Sequence, residues 1–379
     1  MKIDKRKQKI EFGPFDMNFL AEFGVERATD MVFDYKYFNK TPFIYDVYQL
    51  SNFLGTSLKA MFKIVNKHDE MYKKIQIPKR SGGIRTIYEP NEELKCFQRK
   101  INREILSKIP VSEYATAYKK ESSLYKNALP HANKEYILKM DITDFFSNIY
   151  FFDILKCVFN SSIYPKNIGC MLTAICCKDD CLPQGAPTSP AISNIVMKHF
   201  DDVMGEWCKN RNIGYTRYCD DITFSGGKEV YSAFFKAKRT LENMEFEINE
   251  KKTRIIKNTN RQTVTGIVVN EHPQLSKEYR RKLRQEIYYV KRFGVADALE
   301  HISGRKPNAE SIYSYYSQLM SKIAYVLQID PNNKEFLEHK KNLKSDFDEY
   351  YGIVGNDRGY KYLGYFENGH FYIYNRLRS

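Results

Sequence analysis

Asp141, Asp220 and Asp221 are the residues of this chain whose type and spacing best suit chemistry. Asp141 closes the run Tyr136-Ile-Leu-Lys-Met-Asp141, which reads as a buried strand ending in a carboxylate. Asp220 and Asp221 lie between two short strand-like runs, Gly214 to Tyr218 and Ile222 to Ser225, so they occupy the tip of a predicted hairpin. If those strands are neighbours in one antiparallel sheet, three carboxylates share one site. Carboxylate oxygens are the hard ligands that magnesium takes. Two such ions about 4 Å apart neutralise the charge that builds on a phosphorus during in-line displacement. An adjacent Asp pair is also what a solvated turn carries, so the surroundings decide.

The elements that must position these groups are legible around them. A polar turn at Ser147-Asn148 precedes an expected helix, and Ser189-Pro190 reads as an N-cap with proline at the first helical position. Ile192, Ile195, Val196, Phe200, Val203, Met204 and Trp207 then recur at helical spacing, which predicts one long helix packed on the sheet. The order is β, α, α, β, β. Upstream, Lys74 to Pro78, the turn Ser81-Gly82-Gly83 and Ile84 to Tyr88 predict a hairpin carrying Lys79, Arg80 and Arg85. Residues 1 to about 70 read as helical, with Val47, Leu50, Phe53 and Leu54 at apolar spacing. Lys277 to Arg292 offers Tyr279, Leu283, Ile287 and Val290 on one helical face and Arg280, Arg281, Arg284 and Lys291 elsewhere, which suits a duplex backbone. The aromatic-rich tail from Gly359 reads as extended. No repeat, low-complexity tract or Gly/Ser linker interrupts the chain.

Composition narrows the classes. Lys and Arg outnumber Asp and Glu by 60 to 46, giving net +14, which favours a polyanionic partner such as nucleic acid. The 29 tyrosines and 25 phenylalanines supply faces that can stack on bases as well as fill a core. At 379 residues the chain buries a sizeable core without disulfide staples. Its eight cysteines form no repeated C-x-x-C pair, so reduced thiols are expected. Cys170, Cys176, Cys177 and Cys181 cluster, but at irregular spacing with no histidine among them, and no metal is expected there. No stretch approaches the roughly 18 apolar residues of a membrane span, and the charged N-terminus MKIDKRKQKI is no signal peptide, so the cytoplasm is expected.

The run Tyr218-Cys219-Asp220-Asp221 resembles the Tyr-x-Asp-Asp box of reverse transcriptases, set between apolar strands as in that family. Asp141-Ile-Thr-Asp-Phe-Phe146 resembles the family's first catalytic box, and Leu182-Pro-Gln-Gly-Ala-Pro-Thr-Ser-Pro190 its second, in the same order. Asn249-Glu-Lys-Lys-Thr253 and Thr265-Gly266-Ile267 resemble the next two. The likeness covers roughly residues 74 to 270, with a weaker thumb-like match beyond. It implies an α+β fold, a right-hand polymerase with fingers, a palm whose antiparallel sheet packs on helices, and a helical thumb. The expected divisions are 1–70 (helical part of the fingers), 71–135 (fingers hairpin and an insert), 136–270 (palm) and 271–379 (thumb and extension).

Carried over position by position, Asp141, Asp220 and Asp221 would be catalytic and bind two Mg2+ ions, with Mn2+ as a substitute and the Ile142 carbonyl as a further ligand. Lys79 and Arg85 would grip the incoming triphosphate, Arg as a planar fork and Lys as a point charge. Phe146 would wall the sugar pocket against a ribose 2′-hydroxyl. Gln184 and Gly185 would approach nucleotide and template, glycine permitting the approach. Lys252 would donate a proton to leaving pyrophosphate. Each also has an ordinary reading: a solvated hairpin for Lys79 and Arg85, core for Phe146, a surface charge for Lys252.

Two further segments resemble the bacterial retron branch: Asn127-Ala-Leu-Pro-His131 its Asn-Ala-x-x-His element, and Val264-Thr265-Gly266 its Val-Thr-Gly signature. With Arg280, Arg281 and Arg284, these residues are the expected RNA contacts. The resemblance implies an enzyme that binds a cognate structured non-coding RNA and reverse transcribes part of it from an internal guanosine 2′-hydroxyl into branched msDNA. It further implies dNTPs as substrates, host RNase H to trim the template, and a toxic effector encoded nearby that the complex restrains in anti-phage defence. Two departures stand out: Cys219 replaces the commoner alanine, and residues from about 335 to 379 extend past the usual thumb. The alternatives are another bacterial reverse transcriptase (group II intron, diversity-generating or abortive-infection type), an RNA-dependent RNA polymerase, which Phe146 disfavours, and a non-catalytic RNA-binding scaffold.

Overall fold

The computed structural model describes residues 41, 42, 44–78, 82–355, 361–367 and 370–377, which fall into two compact units. One comprises residues up to Ser123 together with Lys134–Lys257; the other comprises Leu124–Asn133 and the chain from Asn258.

The first unit begins with two short amphipathic helices. Helix α1 (Val47–Leu54) starts at Asp46, whose carboxylate accepts from the Gln49 amide, and stops at Gly55 in the left-handed region, φ 77°. Helix α2 (Leu58–Lys67) is capped by Ser57. Helical expectations for residues 1–40 lie outside the described residues. Strands β1 (Tyr72–Pro78) and β2 (Ile84–Pro90) pair antiparallel with Pro78 opposite Ile84, as the turn signal required. Lys79, Arg80 and Ser81 lie outside the described residues, and Gly82 and Gly83 follow with φ 86° and 85°. Helix α3 (Glu92–Glu104) comes next, capped by Asn91.

Then come β3 (Tyr136–Asp141), α4 (Phe151–Cys157), α5 (Lys166–Cys176), α6 (Ser189–Val196), α7 (Lys198–Lys209), β4 (Gly214–Tyr218), β5 (Asp221–Gly226), α8 (Val230–Asn243) and β6 (Arg254–Lys257). The four strands form one antiparallel sheet ordered β4-β5-β3-β6. Cross-strand partners share a face. Leu138, Met140, Ile222, Phe224 and Tyr215 therefore face one way, into the buried core. Lys139, Asp141, Asp221, Thr223 and Tyr218 face the other. Helix α7 packs on β4, and α8 packs on β3 and β5. Antiparallel sheets with helices on one face make the fold α+β.

Two local expectations need correction. The predicted single helix from Ser189 is two, because Met197 (φ −80°, ψ −2°) separates α6 from α7. Ser189 does not cap it. Thr188 flanks the helix in a helical conformation, while the Ser189 hydroxyl donates to the Pro183 carbonyl at 2.6 Å and so ties the preceding loop shut.

In the second unit, β7 (Thr263–Val264) and β8 (Ile267–Val268) form a minimal hairpin whose turn residues Thr265 and Gly266 have φ 45° and 86°. Helix α9 (Lys277–Ser303) is capped by Ser276 and broken at Gly294 (φ 82°, ψ 165°), just past the predicted end at Arg292. Helices α10 (Ala309–Ile329) and α11 (Lys334–Tyr350) follow. The tail forms a further antiparallel sheet, ordered β11-β10-β9, of β9 (Tyr351–Gly355), β10 (Lys361–Glu367) and β11 (His370–Leu377). The compact units divide at 123/124, 133/134 and 257/258, where the sequence suggested divisions at 70/71, 135/136 and 270/271. One cause is the Asn133 amide, which donates to the Val269 carbonyl at 2.9 Å and fastens Leu124–Asn133 beside the β7–β8 hairpin. Among the described residues no helix is long and apolar enough to cross a membrane.

Candidate active site

Strands β3 and β5 are in register so that Asp141 stands directly opposite Asp221, and Tyr218 on β4 stands opposite Asp221 from the other side. Asp220 occupies the turn between β4 and β5, after Cys219 in the left-handed region at φ 61°. The Asp220 carbonyl accepts from the Ile142 amide at 3.2 Å, which couples the turn to the strand that bears Asp141. The two parts of the expected triad therefore meet at one end of one sheet.

The electrostatics of this corner are those of crowded anions. Burial holds the Asp141 carboxyl above the usual carboxylate range, and Asp220 pushes in the same direction, while Lys252 opposes both. The Asp221 carboxyl is likewise raised, first by desolvation and then by Asp220 and Asp141. Lys252 answers part of that charge: its Nζ lies 2.9 Å from each Asp141 carboxylate oxygen, and this bond is the main reason its ammonium is stabilised. Asn249 sets that contact up. Its amide donates to the Asp141 carbonyl at 2.8 Å, and its side-chain oxygen accepts from the Lys252 amide at 3.3 Å.

Asp141 and Asp220 line a cleft of about 600 Å³. Arg85 and Tyr88 of β2, Asp141 to Ser147, Lys178 and Asp179, Leu182 to Gln184, Asp220, Asn249 and Lys252 line it. Arg85, Phe146, Gln184 and Lys252 thus share one cavity with Asp141 and Asp220. Lys79 lies outside the described residues. Phe146 is half-buried against Phe145, with ring centroids 5.3 Å apart. Gly185 does make a close approach, but to protein: with φ +124°, an added Cβ would lie 2.5 Å from Ile87 Cγ2 and 2.7 Å from the Tyr88 carbonyl oxygen. The Tyr88 amide donates to the Gln184 carbonyl at 2.8 Å, so this loop is laid against the hairpin strand.

Three residues not singled out from the sequence also bear on this region. Lys178 stands over the Tyr88 ring, 5.2 Å from its centroid, and bonds Asp179 at 2.8 Å. It sits in an irregular loop with no periodic signal. Asn249 opens a polar turn, and asparagine in that place is itself a signal. Arg217, in a strand pattern that should be apolar, is fully buried.

The expected RNA contacts divide differently. Asn127 and His131 are buried, and Asn127 donates to the Thr265 hydroxyl at 3.1 Å, so the two retron-like segments brace each other. Val264 is buried as well, leaving Thr265 partly exposed and Gly266 exposed at the turn. Arg281 is exposed and Arg280 half-buried. Arg284 is instead committed within the unit: its Nε and Nη2 lie 2.5 and 2.7 Å from the two Glu335 carboxylate oxygens, a fork that occupies the expected nucleic-acid contact.

Carboxylates in mutual repulsion on one sheet face fit a hard divalent cation, and the donor set is right for it. Among the described residues no three His, Cys, Asp or Glu side chains already close on one point, and Lys252 occupies both Asp141 oxygens. Elsewhere, burial raises the Cys170 thiol to about 11 and the Cys176 thiol to about 12, which leaves both as packed thiols of α5.

Comparison with known proteins agrees with this geometry. The profile of the family described as reverse transcriptase (RNA-dependent DNA polymerase) matches residues 77–365. The chain is 31% identical over 268 residues to the retron Ec86 reverse transcriptase of Escherichia coli, covering 69% of this chain and 83% of that one. It is 30% identical over 323 residues to the retron Ec73 reverse transcriptase of Escherichia coli, covering 78% and 96%. It is 29% identical over 290 residues to the retron Mx65 reverse transcriptase of Myxococcus xanthus, covering 71% and 64%.

Proposed function

Because the chain belongs to the reverse transcriptase (RNA-dependent DNA polymerase) family, in its retron-type branch, we propose that it copies part of a cognate structured RNA from an internal guanosine 2′-hydroxyl into branched msDNA. Its activity is that of an RNA-directed DNA polymerase. The observation that carries the reading of the site is the register that sets Asp141 opposite Asp221, with the adjacent Asp220 lining the cleft beside Asp141.

Reverse transcriptases use divalent metal ions, which neutralise charge at the transferring phosphate and activate the attacking hydroxyl. In this chain Asp141, Asp220 and Asp221 would hold Mg2+, or Mn2+ in its place, with the Ile142 carbonyl as a further donor. Arg85, and with it Lys79, would orient the dNTP triphosphate. Lys252 is within reach of the same corner and would pass a proton to the departing pyrophosphate. Phe146 would stand where a ribose 2′-hydroxyl must go, and Gln184 beside it would contact the nucleotide. The turn Thr265-Gly266, held through the Asn127 to Thr265 bond and exposed at Gly266, and the exposed Arg281 on α9 would meet the RNA.

In the wider role we propose for the cytoplasm, host RNase H trims the template and the RNA–DNA–protein complex restrains a neighbouring toxic effector against phage. The test is purification with the co-expressed locus, then RNase treatment and sequencing of bound DNA. Short single-stranded DNA joined to an RNA nucleotide through a 2′ link is expected, and absent from Asp220→Ala with Asp221→Ala. Failure to recover it while primed RNA still directs dNTP incorporation overturns the msDNA reading. Phage protection that survives the same substitutions overturns the defence reading.

A further inference from the structure

Beneath the turn that carries Asp220 lies a charged network with no contact to the cleft. Arg217 is 0% exposed and points to the apolar side of β4, the side that also buries Tyr215. Its Nε donates to Asp201 Oδ1 at 2.8 Å and its Nη2 to Asp201 Oδ2 at 2.6 Å, a two-bond fork onto α7. Nη2 also donates to Asn194 Oδ1 at 3.1 Å. Asp201, itself 0% exposed, accepts a further bond from the Tyr215 hydroxyl at 2.7 Å. Nη1 donates to the carbonyl oxygen of Cys219 at 2.9 Å.

That last bond reaches the peptide between Cys219 and Asp220. Cys219 is a non-glycine residue at φ 61°, a conformation that costs free energy and persists only where its surroundings impose it. The next carbonyl, that of Asp220, is bonded to the Ile142 amide. Both peptides that define the direction of the Asp220 side chain are therefore pinned, one from the core by Arg217 and one from the strand of Asp141. The backbone of Arg217 is pinned in turn, its amide donating to the Tyr114 carbonyl and its carbonyl accepting from the Thr116 amide. A buried ion pair is weak evidence for stability, because well-packed apolar residues of similar volume often serve as well. Orientation of a carboxylate that must be held to a fraction of an ångström gives such a pair a use.

We propose that Arg217, clamped by Asp201, is a positioning residue for catalysis that fixes the Cys219 peptide and thereby aims the Asp220 carboxylate at the metal site beside Asp141. The inference rests on the assignment of Asp220 to that site.

The experiment uses the full chain and three variants: Arg217→Met with Asp201→Leu, which removes both buried charges together; Arg217→Lys; and Asp220→Asn. Each is measured by thermal melting, by Mn2+ binding to the folded protein read by electron paramagnetic resonance, and by dNTP incorporation on primed RNA across Mg2+ concentrations. The apolar pair is expected to melt within a few degrees of the parent, bind Mn2+ at least fivefold more weakly and lose at least tenfold in kcat with KM for dNTP little changed. Arg217→Lys keeps a buried cation against Asp201 but not the fork, and should show the same metal and kcat defects in its folded fraction. Parent-like Mn2+ binding and kcat in either folded variant overturns the positioning role. If the apolar pair does not fold, the outcome for Arg217→Lys decides alone, and unfolding of both makes the network structural and overturns the proposal. Asp220→Asn separates the two levels: retained incorporation there sinks the site assignment itself, whereas its loss beside normal Arg217 variants sinks only the positioning role.

Discussion

The Lys252 ammonium lies 2.9 Å from both carboxylate oxygens of Asp141, so the cation proposed for leaving-group protonation starts out bonded to a carboxylate proposed to be catalytic. Its side chain is 61% exposed, which leaves it free to swing toward a bound triphosphate. Lys252→Met should lower kcat by about 10²-fold, the usual contribution of a general acid, with KM for dNTP changed far less. The same variant should bind Mn2+ at least as tightly as the parent, since a competing cation is gone. A fall in KM-dependent steps alone, with kcat intact, would show that Lys252 only binds.

Three carboxylates at one corner should make the metal-free protein sensitive to pH in a defined direction. Asp141 and Asp221 are both raised above the ordinary 3.8. A carboxyl raised in the folded state binds more protons folded than unfolded, so its stabilising contribution is complete below 3.8 and is lost as pH rises through the folded value. Once pH lies above the folded value that contribution is gone and the repulsion remains. Asp221→Asn should therefore melt above the parent at pH 7 without metal, and the gap should shrink as pH falls toward 4. Adding Mg2+ should raise the parent's melting temperature more than the variant's. A variant that melts below the parent without metal would mean that Asp221 contributes bonds outweighing the repulsion.

Phe146 lines the cleft beside Asp141 and rests on Phe145. If its ring fills the space of a ribose 2′-hydroxyl, shortening it admits rNTPs. Phe146→Val should raise the ratio of rNTP to dNTP incorporation by at least tenfold, equivalent to about 1.4 kcal/mol of lost discrimination. An unchanged ratio, with dNTP activity retained, would assign the ring to the core.

Gly185 has a backbone conformation and a neighbour that together forbid a side chain. At φ +124°, an alanine Cβ would sit 2.7 Å from the Tyr88 carbonyl oxygen and 2.5 Å from Ile87 Cγ2. Gly185→Ala should cost about 1–3 kcal/mol through strain of this kind. It should also weaken the Gln184 to Tyr88 bond that lays the loop on β2. The signature is a lowered melting temperature together with a raised KM for dNTP, since Arg85 stands on the same strand. A normal KM would separate the loop from the hairpin's role.

What could be read from the sequence was what is local and periodic. The apolar run Tyr136–Asp141 and the short runs around Asp220 announced strands, whereas the register that sets Asp141 opposite Asp221 is seen only in the sheet. Motif resemblance then supplied the roles. Long-range polar pairing was not legible: nothing in the spacing of Arg284 and Glu335, or of Arg217 and Asp201, says that they meet. Arg217 lies within a short strand-like run and is buried; Arg284, expected at nucleic acid, is bonded to Glu335 in a partly exposed pair. Asn127 and Thr265 were each noted, but their bond to one another required the fold of the intervening chain. The division of the helix at Met197 carries no glycine or proline signal, so periodicity alone ran straight through it.

Two arginines one turn apart on α9 should behave as different kinds of residue. Arg281 is exposed, whereas Arg284 is held in a two-bond fork by Glu335 of α11. A cation that meets a phosphate releases counterions when RNA binds, so losing it reduces the slope of log affinity against log salt by about one. Arg281→Ala should weaken binding of the cognate RNA and flatten that slope, with melting unchanged. Arg284→Ala should leave the slope alone and lower the melting temperature, because Glu335, whose carboxyl the Arg284 bonds hold below the usual range, loses its main partner. As the pair is partly exposed, the loss of stability should be modest. For a carboxylate lowered in the folded state, stability is present above the unfolded value and lost as pH falls through the folded one, so the Arg284→Ala deficit should be seen at neutral pH and fade in acid. Equal salt slopes for Arg281→Ala and the parent would remove Arg281 from the RNA surface.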